Sequence, residues 1–462
     1  MISHVRRLAG FALLPAFSLM ASLVLLPLVA SNFGPAGWVS LGTGISVGAV
    51  LTIICGLAWA SIGGHRVAVG DAVERRRLFW LSLSTRGIVL AAALPIATAI
   101  IWVVDVDDTG AAWLFMVGLA LNSFSMSWFY GGTENPGQLA VNEGVVRLSG
   151  YALATAALAA GAPLATYAAL NVVASLVTLG LNTRSILRIT APCGPISRAE
   201  HLAELRVQFD GTLARSGFAF FTLGGPTIFA LGAAASLAHF NAVDQMLKTS
   251  VSATSILPQA FIAVAAAGVA ARVPLGSLWT RRPEALVLTW LPLAALLTWC
   301  ALGPVAADFL FAGKLELDRG TSVLIGVALA STMTLRSFEL LIMFPRDLAK
   351  PVFTINAWWS FAAVAALYLS ARLDSVELAL GVWIGVHLVV YVMEVQVLRR
   401  RMGDGHLAGP VPHDLLPDPA LEMAVAGDPL EPVPPSATAV AAAGQPDLPT
   451  PRSGQDDPPH AG

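Results

Sequence analysis

Apolar runs long enough to cross ~30 Å of hydrocarbon as helix recur from residue 8 to residue 398, and this recurrence constrains the fold more than any motif does. In a bilayer core the backbone N–H and C=O groups must pair within the segment, so runs of this length are expected to be helices rather than open strands. They fall at about 8–30, 38–62, 78–104, 110–130, 145–162, 164–183, 213–234, 243–270, 285–312, 320–344, 351–371 and 376–398. Twelve runs describe an all-α polytopic membrane protein. Composition agrees: 12% of residues are charged and 56% hydrophobic, with a mean hydropathy of +0.71, whereas soluble domains carry about 25% charged residues. The fifth and sixth runs are divided only by Gly161-Ala162-Pro163, so eleven spans with one re-entrant segment is the competing count. The basic, apolar start exceeds a signal-peptide core in length and is expected to be an uncleaved first helix.

Basic residues set the expected orientation. With the N-terminus inside, twenty of those flanking the runs fall on one side and four, Lys248, Lys314, Arg319 and Arg372, on the other. That split places both termini in the cytoplasm and favours an even number of spans. The polar, basic connection between the sixth and seventh runs divides the chain into an N-lobe (1–190), a cytoplasmic linker (191–212) and a C-lobe (213–402). Each lobe holds six helices, a layout in which a substrate path runs between parallel repeats. WFYGGTENP (128–136) and MFPRDLAKP (343–351) close the fourth and tenth runs with a matching Phe and Pro spacing, weak support for a duplication. The 403–462 segment is rich in Pro, Ala, Asp and Gly and is expected to be a disordered cytoplasmic tail.

A charge at mid-bilayer depth costs about 2.5–3.5 kcal/mol on insertion scales and tends to mark a pathway. Arg336 and Glu339 lie three apart inside the tenth run, on one helix face. They are either a structural ion pair or part of a cavity wall that includes Ser331, Thr332 and Thr334. Arg86 in the third run is the other deep arginine, placed either to snorkel or to form with Arg336 a basic floor suited to bidentate phosphate binding. Asn122, with Ser123, Ser125 and Ser127, puts polar groups in the fourth run, as Asn171, Ser175 and Thr178 do in the sixth. Interhelical hydrogen bonding is the ordinary use of such groups, and substrate binding by Asn122 is the functional one. His387 and Glu394 share a face of the twelfth run, and His387 titrates in the range a proton-coupling residue needs.

No phosphate-binding GxxxxGK[ST] loop is present, and Cys55, Cys193 and Cys300 show no disulfide or metal spacing. The acidic DVDD at 105–108 sits in a short turn. No cofactor, metal or nucleic-acid partner is expected, and no external loop is long enough for a catalytic domain, so transport rather than catalysis is the expectation.

The twelve-run layout, the stretch FGPAGWVSLGTGISVG (33–48) taken as the first external turn, the aromatic WFYGG, and LGAAASLAHFNAVDQMLKTSVSATSILPQAF (231–261) together resemble bacterial polysaccharide-biosynthesis flippases. These are lipid-linked oligosaccharide translocases of the multidrug/oligosaccharidyl-lipid/polysaccharide exporter superfamily. The resemblance covers residues 1 to about 400. It implies an undecaprenyl-diphosphate-linked glycan moved across the bacterial inner membrane by alternating access, with membrane lipids, a glycan polymerase and glycosyltransferases as partners. The head group would meet Arg336, Glu339, Arg86, Asn122 and Arg215, which stands at the mouth of the seventh run; His387 would serve coupling. An ion-coupled drug or metabolite exporter of the same superfamily is the alternative, and a polytopic polymerase or glycosyltransferase a more distant one. On this topology, externally added thiol reagent labels cysteines substituted at Asp107 and Glu316 and misses one at Ser197; the reverse pattern inverts the orientation.

Overall fold

The computed structural model describes residues 2–133, 135–232, 235–254, 258, 286–346 and 348–403. Among them every regular element is helical. Eight stretches are long and apolar enough to cross a membrane: Leu23–Gly56, Ala72–Val104, Thr109–Gly132, Leu164–Ile189, Val287–Leu310, Arg319–Arg346, Ala349–Arg372 and Val376–Arg401. The chain is an all-α, multi-pass membrane protein. The part of the eighth run beyond Thr254 (apart from Pro258), the side chain of Arg215 and the segment after Gly403 lie outside the described residues.

Helix α1 (Ile2–Gly56) contains the first two runs and is broken at Gly34, whose φ of 62° and ψ of −155° leave the helix. The stretch 33–48, expected as an external turn, is therefore mostly helix. Only Gly34 departs, because glycine alone enters that backbone region without strain. Pro35 next to it has no N–H, so the carbonyl of Ser31 lacks its helical donor. The ammonium of Lys314 supplies one at 2.8 Å.

Helices α2 (Trp59–Val69), α3 (Ala72–Val104), α4 (Thr109–Leu121) and α5 (Ser127–Gly132) follow. A short α6 (Pro136–Leu139) and a π-helical turn at Ala140–Val145 lead into α7 (Val146–Ala159), and α8 (Leu164–Ile189) packs against α7. Gly161 (φ 82°) makes the turn between them. The connection expected over 191–212 is helical from Arg198, since α9 (Arg198–Leu223) starts there behind a capping box. Ser197 Oγ accepts the Glu200 N–H at 3.3 Å, and the Glu200 carboxylate accepts the Ser197 N–H at 2.7 Å. Then come α10 (Gly225–Leu231), α11 (Leu237–Thr254), α12 (Leu291–Leu310), α13 (Arg319–Phe338), α14 (Ala349–Arg372) and α15 (Val376–Gly403); a π turn, Glu339–Met343, prolongs α13.

The helix ends gather at two faces. Arg66, Arg75–Arg77, Glu204 and Arg346 mark the basic end; Asn32, Asp108, Gly161, Ser236, Lys314 and Asp374 mark the opposite one. At the opposite end Ser236 donates its N–H (2.9 Å) and hydroxyl (2.8 Å) to Asp374, which holds that carboxyl below the usual range. In the same way Asp318, which caps α13, is held low by the hydroxyl and N–H of Thr321.

The second half of α1 lies between α4 and α11. A Cβ on Gly44 would sit 2.4 Å from the Ala112 carbonyl oxygen, and one on Gly42, two residues away and so on the other side, 2.7 Å from Asn241 Oδ1. Small residues thus let three helix backbones approach closely in a medium that gives helices no hydrophobic reason to associate. Gly44→Ala should cost about 1–3 kcal/mol, since Ala112 contributes rigid backbone. Thermal unfolding in detergent checks this against Gly131→Ala, where nothing lies within 4 Å of the new Cβ.

Candidate functional site

Three clusters of polar groups stand out among the described residues of the apolar bundle. The first surrounds the break between α4 and α5, where the chain passes through a 3-10 turn at Asn122–Phe124. The break frees the Ser125 carbonyl and the Met126 N–H. Arg86, 2% exposed, donates to Ser125 O at 3.1 Å, and its guanidinium carbon stands 5.7 Å from the Trp128 ring centroid. Glu143, also 2% exposed, accepts from the Met126 N–H (2.9 Å), the Ser125 hydroxyl (2.8 Å) and Asn182 Nδ2 (3.1 Å), with Arg147 3.5 Å away. Arg86 is therefore neither a snorkelling residue nor a cavity floor; it and Glu143 satisfy a broken helix. Asn122 accepts from Ser175 at 3.3 Å, and Ser175 also donates to the Gly118 carbonyl at 3.0 Å.

The second cluster lies on the seam between α1, α11 and the α9–α10 break. Leu223 O accepts from Ser46 Oγ of α1 (2.8 Å) and from Lys248 Nζ of α11 (3.1 Å). Thr227 donates to Ser46 at 2.9 Å. Asp244 pairs with Lys248 at 2.5 Å, and Asn241, wholly buried, has no hydrogen-bond partner for either amide atom among the described residues. Lys248, which the basic-residue count assigns to the outer side, stands within α11, and Asp244 neutralises its charge one turn away.

The third cluster holds Arg336. With Val251, Thr254, Thr332, Met333 and Leu340 it lines a cavity of about 50 Å³ between α11 and α13. No ion pair joins it to Glu339 among the described residues. Glu339, at the start of the π turn, accepts from Asn356 Nδ2 of α14 at 2.8 Å and meets the carboxyl of Glu394 on α15. His387 is buried in an aromatic cage. It stacks on Trp383 with centroids 5.2 Å apart, approaches Phe221 at 6.0 Å and holds the Trp383 carbonyl through Nδ1 at 2.8 Å. The structure thus brings Glu339 and Glu394 together near Arg336 and places Arg86 and Asn122 in a separate network. Glu143, Asp244, Lys248 and Asn241 were missed from the sequence, although the i,i+4 pairs Glu143–Arg147 and Asp244–Lys248 were there to be read.

Contacts between the helices before and after residue 190 close both ends. At the basic end Arg66 pairs with Glu204 at 2.6 Å, Arg77 pairs with Glu200, and Gln208 accepts the Ala58 N–H at 2.9 Å. At the opposite end Trp38 donates to the Ala238 carbonyl at 2.9 Å and meets Phe311 edge-on at 5.1 Å.

The bundle matches an inward-facing multidrug resistance MATE family transporter of the MOP superfamily with a TM-score of 0.54 over 85% of this chain and 94% of that one. Its fold is that of the MATE transporters. The identity is 15%, so the likeness is one of MATE-type architecture alone. An outward-facing transporter of the same description matches at 0.50 with 12% identity, covering 87% of this chain and 96% of that one. A MATE protein in complex with MaL6 matches at 0.50 with 14% identity, covering 87% and 97%. No protein-family profile and no curated protein matches the chain. Within this MATE-type bundle Glu143 is the acceptor on which the first cluster converges. Glu143→Ala should destabilise by about 1–3 kcal/mol by leaving the buried Met126 N–H and the Asn182 amide without their acceptor, and Glu143→Gln by less; thermal unfolding of the purified protein reads the difference.

Proposed function

We propose that this protein is an alternating-access transporter that carries a lipid-linked oligosaccharide, held by its anionic diphosphate, across the bacterial inner membrane, both termini being cytoplasmic. The observation that supports the reading is Arg336. It stands ten residues before Arg346, about 15 Å along the helix from the basic end, in a cavity wall and without an ion pair among the described residues. A guanidinium at that depth is costly, and its planar fork suits a phosphate better than a lysine would. The cavity, at about 50 Å³, holds one or two waters at ~30 Å³ each. A diphosphate enters only when the two six-helix lobes part, and the contacts closing each end are the ones that would open in turn. Arg215 and His387 are assigned no contact with the substrate. A glycan polymerase and glycosyltransferases are the partners this reading calls for.

The second reading, an exporter of drugs or metabolites, is supported by two of the similar structures, which are multidrug resistance transporters. An arginine in the cavity wall disfavours cationic drugs and keeps the first reading ahead.

Complementation separates the two. Arg336→Lys should reduce surface glycan roughly tenfold, the equivalent of about 1.4 kcal/mol, at unchanged membrane protein level. Arg336→Ala combined with Glu339→Ala should abolish export; normal glycan from that double variant ends the glycan reading, and altered drug efflux with normal glycan supports the second.

A further inference from the structure

Glu394 is wholly buried on α15, and neither of its carboxyl oxygens has a hydrogen-bond donor among the described residues. The polar group it meets is the carboxyl of Glu339, which has one amide donor, Asn356 Nδ2 at 2.8 Å. Glu143 in the same protein provides an internal comparison. That single carboxylate has a backbone N–H, a hydroxyl, an amide and a guanidinium around it, whereas two carboxyls here divide one amide. Carboxylates in contact repel in a medium of low dielectric, and a proton between them replaces the repulsion with an O–H···O bond.

The neighbouring charges give the stoichiometry. On α13 the cation acting on Glu339 is Arg336, and α14 contributes the neutral amide of Asn356. On α15 the titratable neighbours are His387, held by Trp383, and Tyr391, whose ring packs on Phe338 at 5.0 Å. One guanidinium balances one carboxylate, and the second carboxyl is neutral only with a proton. We propose that Glu339 and Glu394 form a proton-binding site that holds one shared proton at neutral pH. Its role as the coupling ion of transport rests on the reading above; the binding itself does not. Separation of α13 from α15, or entry of water between them, ends the sharing and releases the proton.

Infrared spectra of the purified full-length protein in H2O and D2O at neutral pH test this. Wild type should show a deuterium-sensitive C=O band of a protonated carboxyl, which Glu394→Gln and Glu339→Gln each remove and which Asp374→Asn, at the exposed opposite end, leaves intact. Absence of any such band from wild type overturns the proposal whether or not the variants fold. A band undiminished in both Gln variants overturns it too, and a band lost in only one shows an unshared proton. Normal glycan export by the Arg336 variants together with the expected spectra would remove the transport reading and leave the proton site standing.

Discussion

A membrane-spanning backbone has to pair every N–H and C=O it exposes, and this bundle interrupts its helices repeatedly. Several of the interruptions recruit a charge. Lys314 caps the Ser31 carbonyl where Gly34 and Pro35 break α1. Arg86 and Glu143 take the carbonyl and N–H freed between α4 and α5, and Lys248, neutralised by Asp244, reaches Leu223 O at the α9–α10 break. Arg346 donates to the Ile342 carbonyl, within the π turn, at 3.0 Å. Charges within a membrane bundle are commonly taken as markers of a pathway, but among the described residues Arg86, Glu143 and the Asp244–Lys248 pair serve broken helices.

That account isolates the exceptions. Arg336 serves no break in the described backbone and borders a cavity, and Glu394 has no amide, hydroxyl or cationic donor among the described residues. Both are costly in apolar surroundings without any backbone group to justify them, which is why the functional reading rests on them and not on Arg86. The π turn that begins at Glu339 also fits this view, because such irregular turns recur at functional sites.

The seam combines an apolar cluster of Trp38, Phe221, Phe229, Phe240 and Phe311 with a handful of polar bridges. Its glycine-mediated approach at Gly42 and its short bridges from Ser46, Thr227 and Lys248 are few and polar, and the end contacts are single ion pairs or single hydrogen bonds. The tight small-residue packing of α1 on α4 lies on the other side of the same helix, so α1 can move as part of the group it is fixed to.

By itself the sequence determined that this is an all-helical membrane protein, where most of its helices run, and that Arg336, Glu339 and Glu394 stand in apolar surroundings. Run length and composition report hydrocarbon burial directly, and the spacing of two residues on one helix is fixed by helical geometry. Only the tertiary structure decided what each buried charge does, because that depends on partners from distant segments: Ser125 for Arg86, Asn356 and Glu394 for Glu339, Leu223 O for Lys248. Helical spacing made Arg336 and Glu339 look like a pair; a donor seventeen residues on in α14 and a carboxyl on α15 gave Glu339 other company. The capping box at Ser197 and the i,i+4 pairs at Glu143 and Asp244 were local signals and thus legible. The helix breaks they support were not, since a break is tolerated only when some other helix supplies the missing hydrogen bond.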